Sequence, residues 1–180
     1  MHEKDLANLR GRTDAKLVYA QVHLDFLRCH GGNAGSDVDR ALQESFLFHL
    51  LGAKDAFLAE LNAYYGLKLS AADVTPGNLR DKLKSQGRTS QELAELYALE
   101  GDEGSWLSHA KQMRDHCTHV AGVPRAFHIG GPDDGKVFLR NPKTGTHVEH
   151  DAPDALHAWL ANMRQLLERL RSMALAANAS

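Results

Sequence analysis

The sequence has few cysteines and no long apolar segment. Its two cysteines, Cys29 and Cys117, are too few for a disulfide framework, and neither belongs to a Cys-x-x-Cys pair. We expect two reduced core thiols, with a catalytic thiolate at Cys117 beside His116 as the alternative. No apolar run approaches the ~20 residues of a membrane span. The N-terminal Met-His-Glu-Lys-Asp-Leu lacks the apolar core of a signal peptide. We therefore expect a cytoplasmic protein that does not contact a membrane.

The chain also lacks a strong charge of either sign. Its formal net charge of −2 provides no overall field for holding nucleic acid, so any such contact needs a local patch. Histidine, in contrast, is abundant: eleven are present, and they titrate near physiological pH. The most basic window is formed by Arg80, Lys82, Lys84 and Arg88. Such a run usually forms a solvated face, although it could follow phosphates.

Helical spacing dominates the sequence. Capping residues and glycine exits predict four long helices, at about 13–29, 36–65, 105–122 and 152–173. Two short helices follow the second long one, starting at Thr75-Pro76 and at Thr89-x-x-Glu92. The middle of the second helix is apolar nearly all round, which predicts that more than one of its sides is covered. Residues 1–12, the segment Gly31–Gly35 and the tail from Ala174 are expected to be irregular or frayed.

After Pro124 the spacing of apolar residues changes from that of a helix to that of extended strands. Short strands are predicted at 126–129, 136–139 and 146–149, separated by turn-forming Pro, Asp, Asn and Gly residues. They indicate a small antiparallel hairpin or meander inserted at about 125–150. The sequence therefore predicts one all-α domain over 1–180 with its core in 13–175. In this domain four long helices form a bundle, with two short extra helices and the β insertion before the last helix.

The third long helix carries most of the ionisable groups of interest. At ~100° per residue, one stripe should face the core, and it comprises Trp106, Ala110, Met113, Cys117 and Val120. A polar stripe lies beside it, formed by His109, Gln112, His116 and His119. The last two turns bring together four candidate functional side chains, those of Arg114, Asp115, His116 and His119.

The run Arg114-Asp115-His116-Cys117-Thr118-His119 has an arginine, a polar residue and a histidine five positions after the arginine. It resembles the signature of the HEPN superfamily of small helical domains, in which this motif lies near the end of the third long helix. The predicted bundle matches over most of 13–175. The resemblance implies a homodimer with one composite cleft, acting without a cofactor as a metal-independent ribonuclease of a toxin or defence system.

The chemistry of RNA cleavage fits these residue types. A histidine with a pKa near neutrality can act as general base or acid, and an arginine can hold the phosphate. We expect His119 and Arg114 in these roles, with Asp115 orienting the imidazole of His119 and His116 auxiliary. On an ideal helix Arg114 and His119 are separated by ~140°. Either the helix distorts or the site borrows from a symmetry-related subunit.

Three alternatives compete with the ribonuclease hypothesis. The cluster could be a polar helix end, with His116 and His119 near the negative end of the dipole and Arg114 paired with glutamates of 92–103. The protein could be a non-catalytic HEPN interaction module, for example the partner of a nucleotidyltransferase-type antitoxin. It could also bind a metal, as in the more weakly similar DinB-like bundles, through His116 and His119 with His49 or His23.

Overall fold

The computed structural model describes residues 3–30 and 36–179. The fold is mostly α-helical with a small antiparallel sheet before the last helix, which confirms the predicted class. The helices are α1 (Glu3–His30), α2 (Asp37–Tyr64), α3 (Pro76–Ser85), α4 (Gln91–Gly101), α5 (Trp106–His119) and α6 (Ala152–Ala179). A 3₁₀ turn covers Ala71–Asp73, and the strands are β1 (Arg125–Phe127), β2 (Val137–Arg140) and β3 (His147–Asp151). Among the described helices, none combines the length and apolarity needed to cross a membrane.

Side-chain caps set the starts of the middle helices. The hydroxyl of Ser36 accepts a hydrogen bond from the backbone N–H of Asp39 at 3.2 Å, as the sequence predicts. The hydroxyl of Thr75 caps α3 in the same way, ahead of a proline in its first turn. The cap of α4, however, is Ser90 and not Thr89, and it accepts from the N–H of Leu93 at 3.1 Å. The predicted element was therefore correct, with its start displaced by one residue.

Both terminal helices are longer than predicted. The first helix begins at Glu3 and not at Thr13 or Asp14. Thr13 is buried inside the helix, where its hydroxyl bonds to the carbonyl of Leu9. Arg10 donates from Nε to the Tyr64 hydroxyl of α2 at 2.9 Å, which ties the early turns to the core. At the other end α6 continues past Ala174, which is buried. The expected connector Gly31–Gly35 lies outside the described residues.

The β insertion forms a three-stranded antiparallel meander in the order β1-β2-β3. Ala126 pairs with Phe138, and Arg140 pairs with His147. An irregularity in the register falls between Phe138 and Arg140. The meander packs against α6, and Leu139 and Val148 are buried. The predicted insertion is thus confirmed.

The core lies around α2, which contacts α1, α3, α5 and α6. Leu50 and Phe57 of α2 are fully buried, as are Leu156 and Met163 of the predicted α6 stripe. The α2 helix is not covered all round, because the side chain of Phe48 is 59% exposed. On α4, Leu93 and Leu96 point inward as predicted, but Tyr97 is exposed and Leu99 is only partly buried. Arg171 of α6 was predicted to face solvent, but it is half-buried against α2, where it bonds to Glu60.

Candidate functional site

The core face of α5 is shorter than its spacing predicts. Leu107, Ala110 and Met113 are buried, whereas Cys117 is only partly buried. Val120, predicted as a core residue, is 74% exposed. The cause is the end of the helix at His119: Val120 has φ −126° and ψ −62°, which takes its side chain off the helical stripe. The last turn of α5 therefore projects beyond the core.

Arg114 is half-buried and bound to two carboxylates. Its Nη2 and Nε donate to Oδ1 of Asp115 at 3.0 and 3.2 Å, and its Nη1 lies 3.4 Å from Oδ2 of Asp55 on α2. The glutamates of 92–103, which the polar-end alternative expected as partners, do not take this role. Both carboxylates are about half exposed, and ion pairs of this kind contribute about 0–1 kcal/mol. A phosphate can therefore compete for the guanidinium.

Asp115 does not orient the imidazole of His119, because its hydrogen bonds go to Arg114. That expectation was wrong. His119 is exposed and His116 is half-buried. Within residues 3–30 and 36–179, neither imidazole has a side-chain hydrogen bond or an ion pair. The backbone carbonyl of His116 accepts from the N–H groups of Val120 and Ala121 and closes the helix. Both histidines are thus chemically available at the end of α5.

The candidate residues are divided between two open clefts. The Arg114 cleft, of about 290 Å³, lies between α2 and α5 and is lined by Glu44, Ser45, Phe48, His49, Arg114, Cys117 and Thr118. The His116 cleft, of about 420 Å³, lies between α5, α4 and the β2–β3 turn. Its lining includes Glu100, Lys111, Asp115, His116 and Lys143. His119 lines neither cleft. The structure therefore places Asp115 and His116 in one cleft and Arg114 in the other, and the ion pair of Arg114 with Asp115 joins the two clefts.

His49 of α2 lines the same cleft as Arg114. The spacing of residues in the sequence did not predict this. The His49 ring stacks on that of His23 with centroids 5.3 Å apart and an interplanar angle of 8°. The rings of Tyr19 and Phe48 pack edge-on against it at the same centroid distance. The Nδ1 atoms of His23 and His49 are buried, with no hydrogen-bond partner among the described residues. Burial, the charge of Lys16 and the proximity of His23 lower the pKa of His49, which keeps it neutral at pH 7.

The metal alternative finds no ligand set in the described part of the chain. No group of three or more His, Cys, Asp or Glu side chains is placed there to hold an ion. His49 lies in the Arg114 cleft, His116 lies in the His116 cleft, and His119 lines neither. The structure therefore does not bring the three proposed ligands together.

The two cysteines differ in their surroundings. Cys29 is exposed, so the expected core position was wrong for it. Cys117 is half-buried in the Arg114 cleft, where burial and the nearby carboxylate of Glu44 raise the pKa of its thiol to about 11. A thiol with this pKa is protonated at neutral pH and is a poor nucleophile. The catalytic-thiolate alternative therefore loses its chemical basis.

Opposite charges meet at the rim of the His116 cleft. Glu100 of α4 accepts from Nζ of Lys54 at 2.5 Å and from Nζ of Lys111 at 2.7 Å. Lys54 is buried on α2, and Lys111 lies on α5. Burial of the carboxylate raises its pKa, but the hydrogen bonds and charges of the two lysines outweigh burial and hold the pKa of Glu100 below its ordinary value. The network joins α2, α4 and α5 beside the His116 cleft.

Fold and site together define a mostly helical protein with a polar, histidine-bearing helix end between two open clefts. Residues 7–176 match the sequence profile described as "Family of unknown function (DUF6586)". The chain belongs to this family. No curated protein and no solved structure matches the chain significantly.

Proposed function

We propose that the protein is a HEPN-like ribonuclease that acts as a homodimer and without a metal. The observation that carries the proposal is the Arg-x4-His run on α5, with a solvent-accessible arginine and an exposed histidine. In this proposal α1, α2, α5 and α6 are the four helices of a HEPN-like bundle. The contacts of α2 with α1, α5 and α6 support this arrangement, as does the contact between α1 and α6.

The roles of the side chains follow from their chemistry. The imidazole of His119 takes the proton of a ribose 2′-hydroxyl or protonates the leaving oxygen. The guanidinium of Arg114 leaves Asp55 or Asp115 and binds the scissile phosphate through two parallel hydrogen bonds. His116, in the neighbouring cleft, is auxiliary. Positioned acid–base catalysis by a histidine contributes roughly 10²–10⁴-fold to the rate.

In the proposed dimer, Arg114 and His119 of different subunits form one site. Arg114 and His119 lie ~140° apart around the helix axis, so the two side chains do not converge on one phosphate within a subunit. An exposed apolar face adjoins the Arg114 cleft and is formed by Val18, Tyr19 and Val22 of α1 and Phe48 of α2. Exposed apolar patches of this kind mark protein interaction sites. Pairing two copies through this face sets two α5 ends side by side, so that Arg114 of one subunit and the histidine of the other can form one site.

Incubation of the purified protein with tRNA and mRNA in EDTA tests the activity. We expect cleavage by the wild type and a loss of about 100-fold or more in His119→Ala and in Arg114→Ala. His157→Ala, which removes an exposed histidine of α6, is the matched control and keeps full activity. Absence of cleavage by the wild type, or unchanged cleavage by His119→Ala, rejects the ribonuclease.

A non-catalytic interaction module is the second candidate. The observation that favours it is that, in the part of the chain that the structure describes, the arginine of the motif is paired with both Asp55 and Asp115. The exposed apolar face around Phe48 would then bind a partner such as a nucleotidyltransferase-type antitoxin encoded nearby. Co-expression with that neighbour should give a stoichiometric complex that Phe48→Glu disrupts. A complex that survives Phe48→Glu, or none at all, argues against this candidate.

A further inference from the structure

A third cleft lies away from α5, between α3 and α4. This α3–α4 cleft has a volume of about 470 Å³ and is lined by Arg80, Leu83, Lys84, Arg88, Thr89, Ser90, Leu93, Ala94 and Tyr97. Its volume falls within the roughly 300–1,000 Å³ typical of small-molecule sites. It is also more enclosed than the two clefts beside α5. The proposed ribonuclease makes no use of it.

The inside of the α3–α4 cleft is apolar. Leu83 and Leu93 form its buried floor, with 1% and 3% of their surfaces exposed. Ala94 and the ring of Tyr97 form a wall that remains open to solvent. A hydrocarbon group placed here removes apolar surface from water on both sides of the contact, which favours binding.

The rim of the same cleft is cationic. Arg80, Lys84 and Arg88 line it, and no Asp or Glu does so among the described residues. The guanidinium of Arg80 lies 5.7 Å from the centre of the Tyr97 ring and donates to Oδ1 of Asp81 at 3.1 Å. Arg88 is held by the carbonyl of Tyr65 at 2.9 Å. Lys84 is exposed and, in the described ranges, makes no ion pair or side-chain hydrogen bond. Its ammonium group is therefore the charge most readily available to a ligand.

The turn between α3 and α4 holds this shape. Gly87 has φ +68°, a conformation that suits glycine, and its N–H bonds to the carbonyl of Lys84. The next N–H, of Arg88, bonds back to the carbonyl of Leu83 at 3.0 Å. Ser90 then caps α4. Because both ends of the turn are fixed by hydrogen bonds, the cleft is formed before any ligand arrives.

We propose that the α3–α4 cleft binds a small amphipathic anion, a short alkyl chain with a carboxylate head group. The chain lies over Leu83 and Leu93, and the carboxylate meets Lys84 at the rim, because Arg80 is already paired with Asp81. The combination of apolar floor and basic rim distinguishes this occupant from a nucleic-acid backbone, which binds through its phosphates along a polar groove and gains little from a buried aliphatic floor.

Isothermal titration calorimetry of the full chain with alkyl carboxylates tests the proposal. Octanoate is expected to bind one to one, and each methylene added between hexanoate and octanoate should lower Kd about fourfold. Lys84→Glu should weaken octanoate binding about fivefold or more, because it reverses the free charge of the rim. Lys82→Glu makes the same change two residues away on α3, outside the cleft lining, and should alter Kd less than twofold. Ala94→Phe should abolish binding by filling the cleft.

The competing outcomes are distinct. Equal binding of octanol or octylammonium would overturn the proposed charge recognition, and no dependence on chain length would overturn the apolar floor. If Lys84→Glu and Lys82→Glu weaken octanoate binding equally, the effect comes from the overall surface charge, and the proposed site is rejected. Tighter binding of a short oligonucleotide at Lys84 would assign the basic rim to nucleic acid and reject the amphipathic ligand. Cleavage of RNA by Lys84→Glu should equal that of the wild type, so the two proposals fail or succeed separately.

Discussion

The guanidinium of Arg171 on α6 binds the carboxylate of Glu60 on α2 through two parallel hydrogen bonds, Nε to Oε2 at 2.9 Å and Nη2 to Oε1 at 2.7 Å. Glu60 is fully buried, and Arg171 also bonds to Asp14 of α1 at 2.9 Å. Burial lowers the pKa of Arg171, but the two carboxylates outweigh burial and raise it above its ordinary value. One cation therefore links three long helices.

Removing one partner of this pair should destabilise the fold far more than removing both. Arg171→Met leaves the buried Glu60 carboxylate unpaired and should cost about 3–5 kcal/mol of unfolding free energy. The double variant Glu60→Leu/Arg171→Met replaces the pair with apolar groups and should recover much of that loss. Urea unfolding of the wild type, both single variants and the double variant measures the coupling. Additive effects of the two substitutions would contradict the account.

Acid should weaken the contact of Glu100 with Lys54 and Lys111. Because the pKa of Glu100 in the folded protein lies below the ordinary value of 4.5, its contribution is present above that value. It is lost as the pH falls through the folded pKa. The urea concentration at the unfolding midpoint of the wild type should therefore decrease when the pH is lowered below 4.5. In Glu100→Gln the midpoint should depend less on pH in this range. At pH 7 Glu100→Gln should be destabilising, whereas Glu103→Gln, at an exposed position, should change stability by less than about 0.5 kcal/mol. A pH profile unchanged by Glu100→Gln would refute this role.

The two cysteines should react with iodoacetamide at different rates. The thiolate is the reacting species, and a pKa of about 11 leaves little of it at Cys117 near pH 8. Cys29 is exposed, whereas Cys117 is half-buried, so access favours Cys29 as well. We expect Cys29 to be alkylated about tenfold faster or more, as followed by peptide mass spectrometry. Faster reaction at Cys117 would indicate an activated thiolate and restore the nucleophile hypothesis.

Local signals predicted much of the fold. The caps at Ser36 and Thr75 are contacts within a few residues, so the sequence places them directly. The start of α1 was missed because Thr13 looks like a cap. Thr13 is instead buried within α1, where its hydroxyl donates to the carbonyl of Leu9, while Arg10 secures the earlier turns to Tyr64. Helix packing overrode the capping signal there.

The sequence predicted which residue types the candidate site contains, but not which residues of other helices contact them. The density of Arg, Asp and His at the end of α5 is visible in the sequence, and so is their separation around the helix. The pairing of Arg114 with Asp55 spans 59 positions along the chain and depends on how α2 packs against α5. The same packing places His49 in the Arg114 cleft. No spacing rule within one helix could have shown either neighbour.

A heterodimer with complementary substitutions tests the central claim most directly. One subunit carries Arg114→Ala, the other carries His119→Ala, and two affinity tags isolate the mixed dimer. If each site takes Arg114 from one subunit and His119 from the other, one of the two sites is intact. RNA cleavage in EDTA should then reach about half the wild-type rate, while both homodimeric variants lose about 100-fold or more. A mixed dimer as inactive as the two homodimers would contradict the shared site.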